Sequence, residues 1–102
     1  MVELTVGNFD AEVTDRPGKV VVDFWGKGCG PCRMMEPVLE RLERSMPEVA
    51  FARMCVTDYP NVAWAFDVVS VPSFVLFKDG APVDQLVGAV PAARMRGFIE
   101  SH

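Results

Sequence analysis

The stretch Val20-Val21-Val22-Asp23-Phe24-Trp25-Gly26-Lys27-Gly28-Cys29-Gly30-Pro31-Cys32-Arg33 decides how this chain folds. Its first six residues are a β-branched and aromatic run with the length of a buried strand. Gly26 and Gly28 interrupt that run. Pro31 suits the first turn of a helix, where its missing amide hydrogen is not needed. We therefore predict a strand over residues 20–25, a short loop, and a helix that begins near Pro31.

The residues that follow continue the same unit. Apolar side chains recur along one face of the predicted helix, at Met35, Val38, Leu39, Leu42 and Met46. A second apolar run over residues 49–56 is typical of another buried strand. A strand–helix–strand succession of this kind predicts two parallel strands joined by a right-handed crossover.

The remaining segments complete one layered architecture. We predict a strand over 2–5 with a helix up to residue 13, a short helix over 62–66, strands over 73–78 and 81–87, and a last helix over 91–100. The dipeptide Asp79-Gly80 between two apolar runs indicates a hairpin. The order predicts an α/β protein with a mixed sheet of about five strands flanked by about four helices. At 102 residues we expect a single domain, residues 1–102.

Composition excludes several classes of protein. Ten Lys and Arg stand against fourteen Asp and Glu, so the net charge is −4, which argues against nucleic acid or an anionic membrane as a partner. No run reaches the roughly 18 apolar residues of a membrane span. The first residues show neither a basic leader nor an apolar stretch of signal-peptide length. We therefore expect a cytoplasmic protein.

The cysteines indicate the chemistry. Three cysteines are too few, and odd, for a disulfide-stapled secreted fold, so a close pair is redox-active or binds a metal. Cys29 stands at the mouth of the predicted helix, where unpaired amides and the positive helix end favour its thiolate. Lys27 and Arg33 add positive charge nearby. We expect Cys29 to be the exposed attacking sulfur and Cys32 the shielded resolving sulfur.

With these cysteines in this context, the chain resembles the thioredoxin family. The correspondence covers roughly residues 3 to 100 and rests on the Cys29-Gly30-Pro31-Cys32 centre, the strand acid Asp23, the aromatic Trp25, the helix proline Pro37, Val71-Pro72 and Gly88. It implies a thioredoxin fold and a protein-disulfide reductase that carries electrons and maintains cell redox homeostasis. It also implies a cis bond between Val71 and Pro72, which base frequencies alone would not predict.

The resemblance implies a mechanism. The Cys29 thiolate attacks a disulfide in a client protein, and Cys32 then resolves the mixed disulfide. A carboxyl group at Asp23, within an apolar run, is costly to bury in its ionised form, so burial raises its pKa toward neutrality, where it exchanges protons. The chain has no glycine-rich dinucleotide loop. We expect no bound cofactor, a monomer, and a separate thioredoxin reductase that uses flavin and NADPH.

The resemblance also implies a client-binding surface beside the cysteines. We expect it to comprise Trp25, Gly30, Pro31, Val71, Pro72, Gly88 and Ala89, with the Val71 backbone pairing with an extended client segment. Two residues depart from the family pattern. Gly28 stands where the family usually has Trp, and we expect it to redirect the partner set. Arg53 stands where the family commonly has Lys, and two interpretations stay open: it stabilises ionised Asp23, or it is a surface arginine.

Three other functions are compatible with parts of this sequence. The same fold can serve a disulfide oxidant or isomerase, although Gly30-Pro31 resembles the reducing members. A zinc site built from Cys29, Cys32, Cys55 and His102 has the right number of ligands, but Cys55 lies in an apolar run that predicts a buried, inert thiol. A noncatalytic binding module is disfavoured because both cysteines of the pair are present. We predict no metal.

Overall fold

The computed structural model describes all of residues 1–102 and contains one five-stranded sheet covered by helices. The strands are β1 (Val2–Glu3), β2 (Lys19–Trp25), β3 (Ala50–Cys55), β4 (Ser73–Lys78) and β5 (Ala81–Val87). The helices are α1 (Gly30–Ser45), α2 (Pro60–Ala65) and α3 (Ala92–Glu100), with a π-helical turn at Asp10–Thr14. The predicted architecture is confirmed, and the π-helical turn takes the place of the fourth helix.

The sheet order, β1-β3-β2-β4-β5, puts β2 in the middle. It pairs in parallel with β3, as the strand–helix–strand pattern predicted, and antiparallel with β4. The loop from β2 to α1 therefore emerges at the centre of the sheet. Cys29 ends this loop, and Cys32 lies in the first turn of α1. No helix in the structure combines the length and the apolar character that crossing a membrane requires.

Two apolar layers hold the sheet between them. Alternate residues of β2 point to opposite faces. Val20, Val22 and Phe24 join the layer beneath the π-helical turn and α2. Val21 joins the layer formed with α1 and α3. Asp23, two residues after Val21, therefore points to the α1 side of the sheet, within an otherwise apolar interior.

Two element boundaries differ from the sequence prediction by two residues, and the others agree to within one. The helix α2 begins at Pro60 rather than at residue 62, because proline is accommodated in the first helical turn. The strand β1 ends at Glu3 rather than at Thr5. It ends there because the Thr5 amide donates to Asn8 Oδ1 at 2.7 Å, which turns the chain away from the sheet.

The hairpin between β4 and β5 is confirmed. Asp79 and Gly80 both have positive φ, 51° and 83°, as a two-residue hairpin turn with the native twist requires. Asp79 Oδ1 accepts a hydrogen bond from the Gly18 amide at 2.7 Å, which fastens the turn to the start of β2. Pro82 lies in the edge strand, where the missing donor is tolerated.

Candidate active site

The two cysteines of the sequence motif are joined at the start of α1. Cys29 is the N-cap residue of this helix, with an extended backbone, and it forms a disulfide with Cys32 across a Cα–Cα distance of 5.3 Å. The Cys32 amide donates to Cys29 Sγ at 3.2 Å. The cap position therefore places a first-turn amide, which has no partner within the helix, directly on this sulfur. Such a donor stabilises a thiolate.

The two sulfurs differ in accessibility. Cys29 is half-buried, whereas Cys32 is 3% exposed and packs in the first turn. Only Cys29 can therefore meet an incoming disulfide. The sequence predicts that the positive charge of Lys27 lies near Cys29. In the structure an exposed ion pair offsets that charge, because Lys27 Nζ lies 2.8 Å from Asp58 Oδ1. That hydrogen bond raises the pKa of Lys27 and lowers the pKa of Asp58.

Asp23 is the one fully buried acid of the chain. Its exposure is 0%, and neither carboxyl oxygen has a hydrogen-bond partner. Burial raises the pKa of Asp23 from 3.8 to about 7, because water no longer solvates the charge; the Arg53 charge lowers it, and Glu36 and Glu3 raise it. A group that titrates near neutrality can both accept and return a proton at physiological pH.

Arg53 fits neither interpretation fully. Its charge does lower the pKa of Asp23, but it forms no ion pair with that carboxyl. Its guanidinium lies 4.3 Å above the Trp25 ring. One nitrogen is 3.1 Å from Glu36 Oε1, and Nε is 3.3 Å from Glu3 Oε1 without hydrogen-bond geometry. With a side chain 20% exposed, Arg53 is mostly covered and is not a free surface charge.

Glu3 is a further member of this group of interacting charges around Arg53. The sequence does not indicate the group. The other oxygen of Glu3, Oε2, accepts a hydrogen bond from Trp25 Nε1 at 3.2 Å. Glu3, Trp25, Glu36 and Arg53 thus form one connected cluster, called here the arginine cluster. Its members come from three strands and one helix. No local motif joins them, although the strand pairing, once known, places Glu3 and Asp23 on either side of Arg53.

The loop before β4 lies against the disulfide loop. The peptide bond between Val71 and Pro72 is cis, as the family resemblance implied. A side-chain carbon on Gly26 would lie 3.3 Å from Val71 Cγ2, so the two loops are in direct contact. Pro72 is buried, and its carbonyl accepts from the Gly88 amide at 2.8 Å. The Val71 amide and carbonyl take part in no hydrogen bond within the chain.

The other residues expected at the client-binding surface are all at least partly accessible. Gly30, Pro31 and Ala89 are exposed, and Trp25, Val71 and Gly88 are half-buried. A shallow groove of about 190 Å³ continues from Val71 along α2, and sequence reasoning did not find it. Its apolar wall includes Trp64, which is 69% exposed, and Val69, which is 91% exposed. The sequence does not indicate that Trp64 is exposed, because an aromatic residue on a short helix is equally compatible with a core position.

The four ligands of the alternative zinc site do not come together. Cys29 and Cys32 are bonded to each other, and Cys55 is buried in β3. His102 Nε2 lies 3.0 Å from Asp84 Oδ2 at the far edge strand. No group of three or more His, Cys, Asp or Glu side chains is arranged to hold a metal ion.

The fold and the site together define a class of protein. A mixed sheet that carries a two-cysteine disulfide at a helix start, beside a cis-proline loop, is the arrangement of a thiol-disulfide oxidoreductase. The family model for Thioredoxin matches residues 1–101. The chain belongs to the thioredoxin family. Its redox-active pair is Cys29–Cys32, and its chemistry is dithiol-disulfide exchange.

Individual relatives agree with this assignment. The chain is 40% identical to the thioredoxin of Staphylococcus saprophyticus, with 100% of this chain and 97% of the relative covered. It is 39% identical to the thioredoxin of Chlorobaculum thiosulfatiphilum, with 98% and 94% covered. One similar solved structure comes from work on thiol resolution in a yeast mitochondrial 1-Cys peroxiredoxin by glutathione and thioredoxin systems. Its TM-score is 0.88 at 33% identity, over 100% of this chain and 95% of that one. The family works with thioredoxin reductase and with disulfide-containing clients in general.

Proposed function

We propose that this chain reduces disulfides in client proteins, with Cys29 as the nucleophile and Cys32 as the resolving thiol. The observation that carries the proposal is the unequal burial of a bonded pair whose outer sulfur receives an amide hydrogen bond. The outer sulfur is reachable and its thiolate is stabilised, whereas the inner sulfur is shielded until the outer one has reacted.

The exchange takes place in two balanced steps. The Cys29 thiolate attacks one client sulfur, forms a mixed disulfide, and releases the other client sulfur as a thiolate that takes up a proton. Cys32 loses its proton and attacks Cys29 Sγ, which forms the Cys29–Cys32 disulfide and releases the second client thiol. The client gains two electrons and two protons, and the chain is left in the oxidised state that the structure shows.

Asp23 is proposed as the group that accepts the Cys32 proton. It lies on the α1 side of the sheet and has a pKa of about 7. Its carboxyl oxygens have no competing hydrogen-bond partner. An acid with these properties is close to half ionised at neutral pH, so it can take the proton and later return it.

We propose that clients bind at Trp25, Gly30, Pro31, Val71, Pro72, Gly88 and Ala89. Because the Val71 amide and carbonyl are unpaired, an extended client segment can hydrogen-bond to them as an added strand. The groove beside Val71 extends this surface with apolar walls. An exposed apolar surface next to a nucleophile suits locally extended protein segments.

A separate thioredoxin reductase that carries flavin and uses NADPH is proposed to restore the dithiol. The chain itself binds no cofactor in this cycle, since its electrons are held by the two sulfurs. We further propose that residues 1–102 act as one monomeric domain in the cytoplasm, where a reducing environment suits a dithiol donor.

Trapping of the mixed disulfide tests the proposal. Cys32→Ser should accumulate a covalent adduct with a disulfide-containing peptide through Cys29, as read by mass spectrometry, and Cys29→Ser should form none. Cys55→Ala is the control and should retain turnover, because this thiol is buried and is not part of the bonded pair. An adduct on Cys55, or one on Cys32 in Cys29→Ser, would contradict the assigned roles.

A further inference from the structure

The buried carboxyl of Asp23 and the guanidinium of Arg53 do not form an ion pair. Asp23 and Arg53 are partners in the parallel pairing of β2 and β3, so their side chains leave the sheet on the same face. A buried, unpaired carboxyl beside a guanidinium would ordinarily form an ion pair with it. Here both Asp23 oxygens lack a partner, while Arg53 contacts two other carboxylates.

Glu36 is the member of the cluster contributed by α1. It follows Cys32 by four residues and so lies one helical turn beyond it on the same side of the helix. Its Oε1 is 3.1 Å from the Arg53 guanidinium, which also stacks on Trp25 at 4.3 Å. The resolving cysteine and the residue that holds Arg53 are therefore neighbours on one rigid element.

We propose that Glu36 is a positioning residue: together with Glu3 it holds the Arg53 guanidinium on the Trp25 ring and offsets its charge, so that Arg53 does not pair with Asp23. The proposal rests on the proposed role of Asp23 as the proton acceptor for Cys32. It concerns a residue that touches no client and no reacting sulfur. Its consequence is that the buried acid keeps its affinity for a proton near neutral pH.

The charges around Asp23 agree with this account. From β3 the facing group is Arg53, from β1 it is Glu3, and from α1 it is Glu36. The β4 partner of Asp23 is Phe74, which carries no charge. The Arg53 charge lowers the pKa of Asp23, and both glutamates raise it.

Titration of Asp23 in the oxidised protein tests the proposal without any client. The Asp23 carboxyl carbon is followed by NMR from pH 4 to 9 in the wild type, in Glu36→Gln and in Glu36→Asp. Glu36→Gln should lower the titration midpoint by about half a unit or more, which is roughly a threefold change in proton affinity. Glu36→Asp keeps the charge and should stay close to the wild type. Glu40→Gln is the matched control, since Glu40 is exposed on the same helix and has no ion pair.

A double variant shows whether Glu36 acts through Arg53. If it does, the shift caused by Glu36→Gln should largely disappear when Arg53→Met is also present. An unshifted midpoint in Glu36→Gln, an equal shift in Glu40→Gln, or a shift that persists in full with Arg53→Met would each overturn the proposal. None of these results bears on trapping by Cys32→Ser, so failure of the positioning role is distinguishable from failure of the reductase function.

Discussion

Asp23 and Arg53 are register partners on adjacent parallel strands, yet they form no ion pair. The guanidinium turns to Glu3, Glu36 and the Trp25 ring. The acid is left desolvated on the α1 side of the sheet, where its pKa rises to about 7. This separation connects the fold to the chemistry, because a tightly paired Asp23 would remain ionised and would accept a proton from Cys32 less readily.

Stability should fall as the pH rises through the range in which Asp23 ionises. The folded-state pKa, about 7, lies above the ordinary value of 3.8, so between these values the folded protein binds more protons than the unfolded chain. The stability contributed by neutral Asp23 is fully present below pH 3.8, falls as the pH rises from there through 7, and levels off once the folded-state group is ionised too. The loss attributable to Asp23 is about 4 kcal/mol.

Asp23→Asn should remove this pH dependence, because an amide does not ionise. By urea unfolding of the oxidised protein, the variant should be more stable than the wild type by roughly 3–4 kcal/mol at pH 8 and close to it at pH 4. Glu40→Gln controls for the loss of one negative charge. A wild-type stability that is flat between pH 4 and 8 would contradict a buried, neutral Asp23.

Resolution of the mixed disulfide should depend on Asp23. Asp23→Ala should slow release of client from a preformed Cys29 adduct at pH 7 by about a hundredfold, the low end of the range for a lost general base, while the protein stays folded. Single-turnover kinetics with a defined peptide measure this step directly. At pH values well above the thiol pKa the difference should shrink, since Cys32 then ionises without help. Identical rates for the wild type and Asp23→Ala at neutral pH would show that Asp23 takes no part in this step.

Gly28 should control which partners are used efficiently. Its φ is +75°, and a side-chain carbon there would meet nothing within 4 Å, so Gly28→Trp fits sterically. The backbone conformation should nevertheless cost about 1 kcal/mol of stability. Gly28→Asn is the matched control, since Asn tolerates this conformation and adds no aromatic surface.

Relative to Gly28→Asn, the Trp variant should change kcat/KM by at least about threefold for some clients or for the reductase, a small pocket-contact effect. Several clients and one reductase should be compared side by side. Equal ratios for every partner in both variants would mean that residue 28 plays no part in partner choice.

The hairpin turn should tolerate no side chain at Gly80. A carbon added there would collide with the Thr14 carbonyl oxygen, and φ is +83°. Gly80→Ala should therefore destabilise the fold by about 3 kcal/mol, the sum of overpacking and left-handed strain. Gly18→Ala, with φ +82° and nothing within 4 Å, should lose only about 1 kcal/mol. Equal losses in the two variants, measured by urea unfolding, would show that the contact with Thr14 is unimportant.

Much of the fold could be predicted from local patterns. The strand β2, the helix start at the cysteines and the Asp79-Gly80 hairpin all follow from periodicity and turn chemistry, and the structure has each of them. The cis bond at Val71–Pro72 is different. The general preference of X-Pro bonds favours trans, and only the family resemblance indicated the observed isomer.

The electrostatic surroundings of Asp23 could not be predicted in the same way. Glu3 and Glu36 reach Arg53 across 50 and 17 residues of chain, a separation that no spacing rule covers. Charges on α1 also resemble an ordinary solvated helix face. The Glu3 contact exists because the sheet order places β1 beside β3, and the Glu36 contact because α1 packs over that face of the sheet. Tertiary geometry therefore determines which charges act on the pKa of Asp23. The sequence indicated only that an acid lies within a buried strand.

The equilibrium reduction potential of the Cys29–Cys32 pair at pH 7 tests the central claim most directly. The wild-type protein is equilibrated with defined thiol buffers, and the reduced fraction is read by mass-tagged thiols. A reductase requires a potential below that of the glutathione pool, and this is the result we predict. A potential well above that pool would contradict the account and make the chain a disulfide oxidant or isomerase.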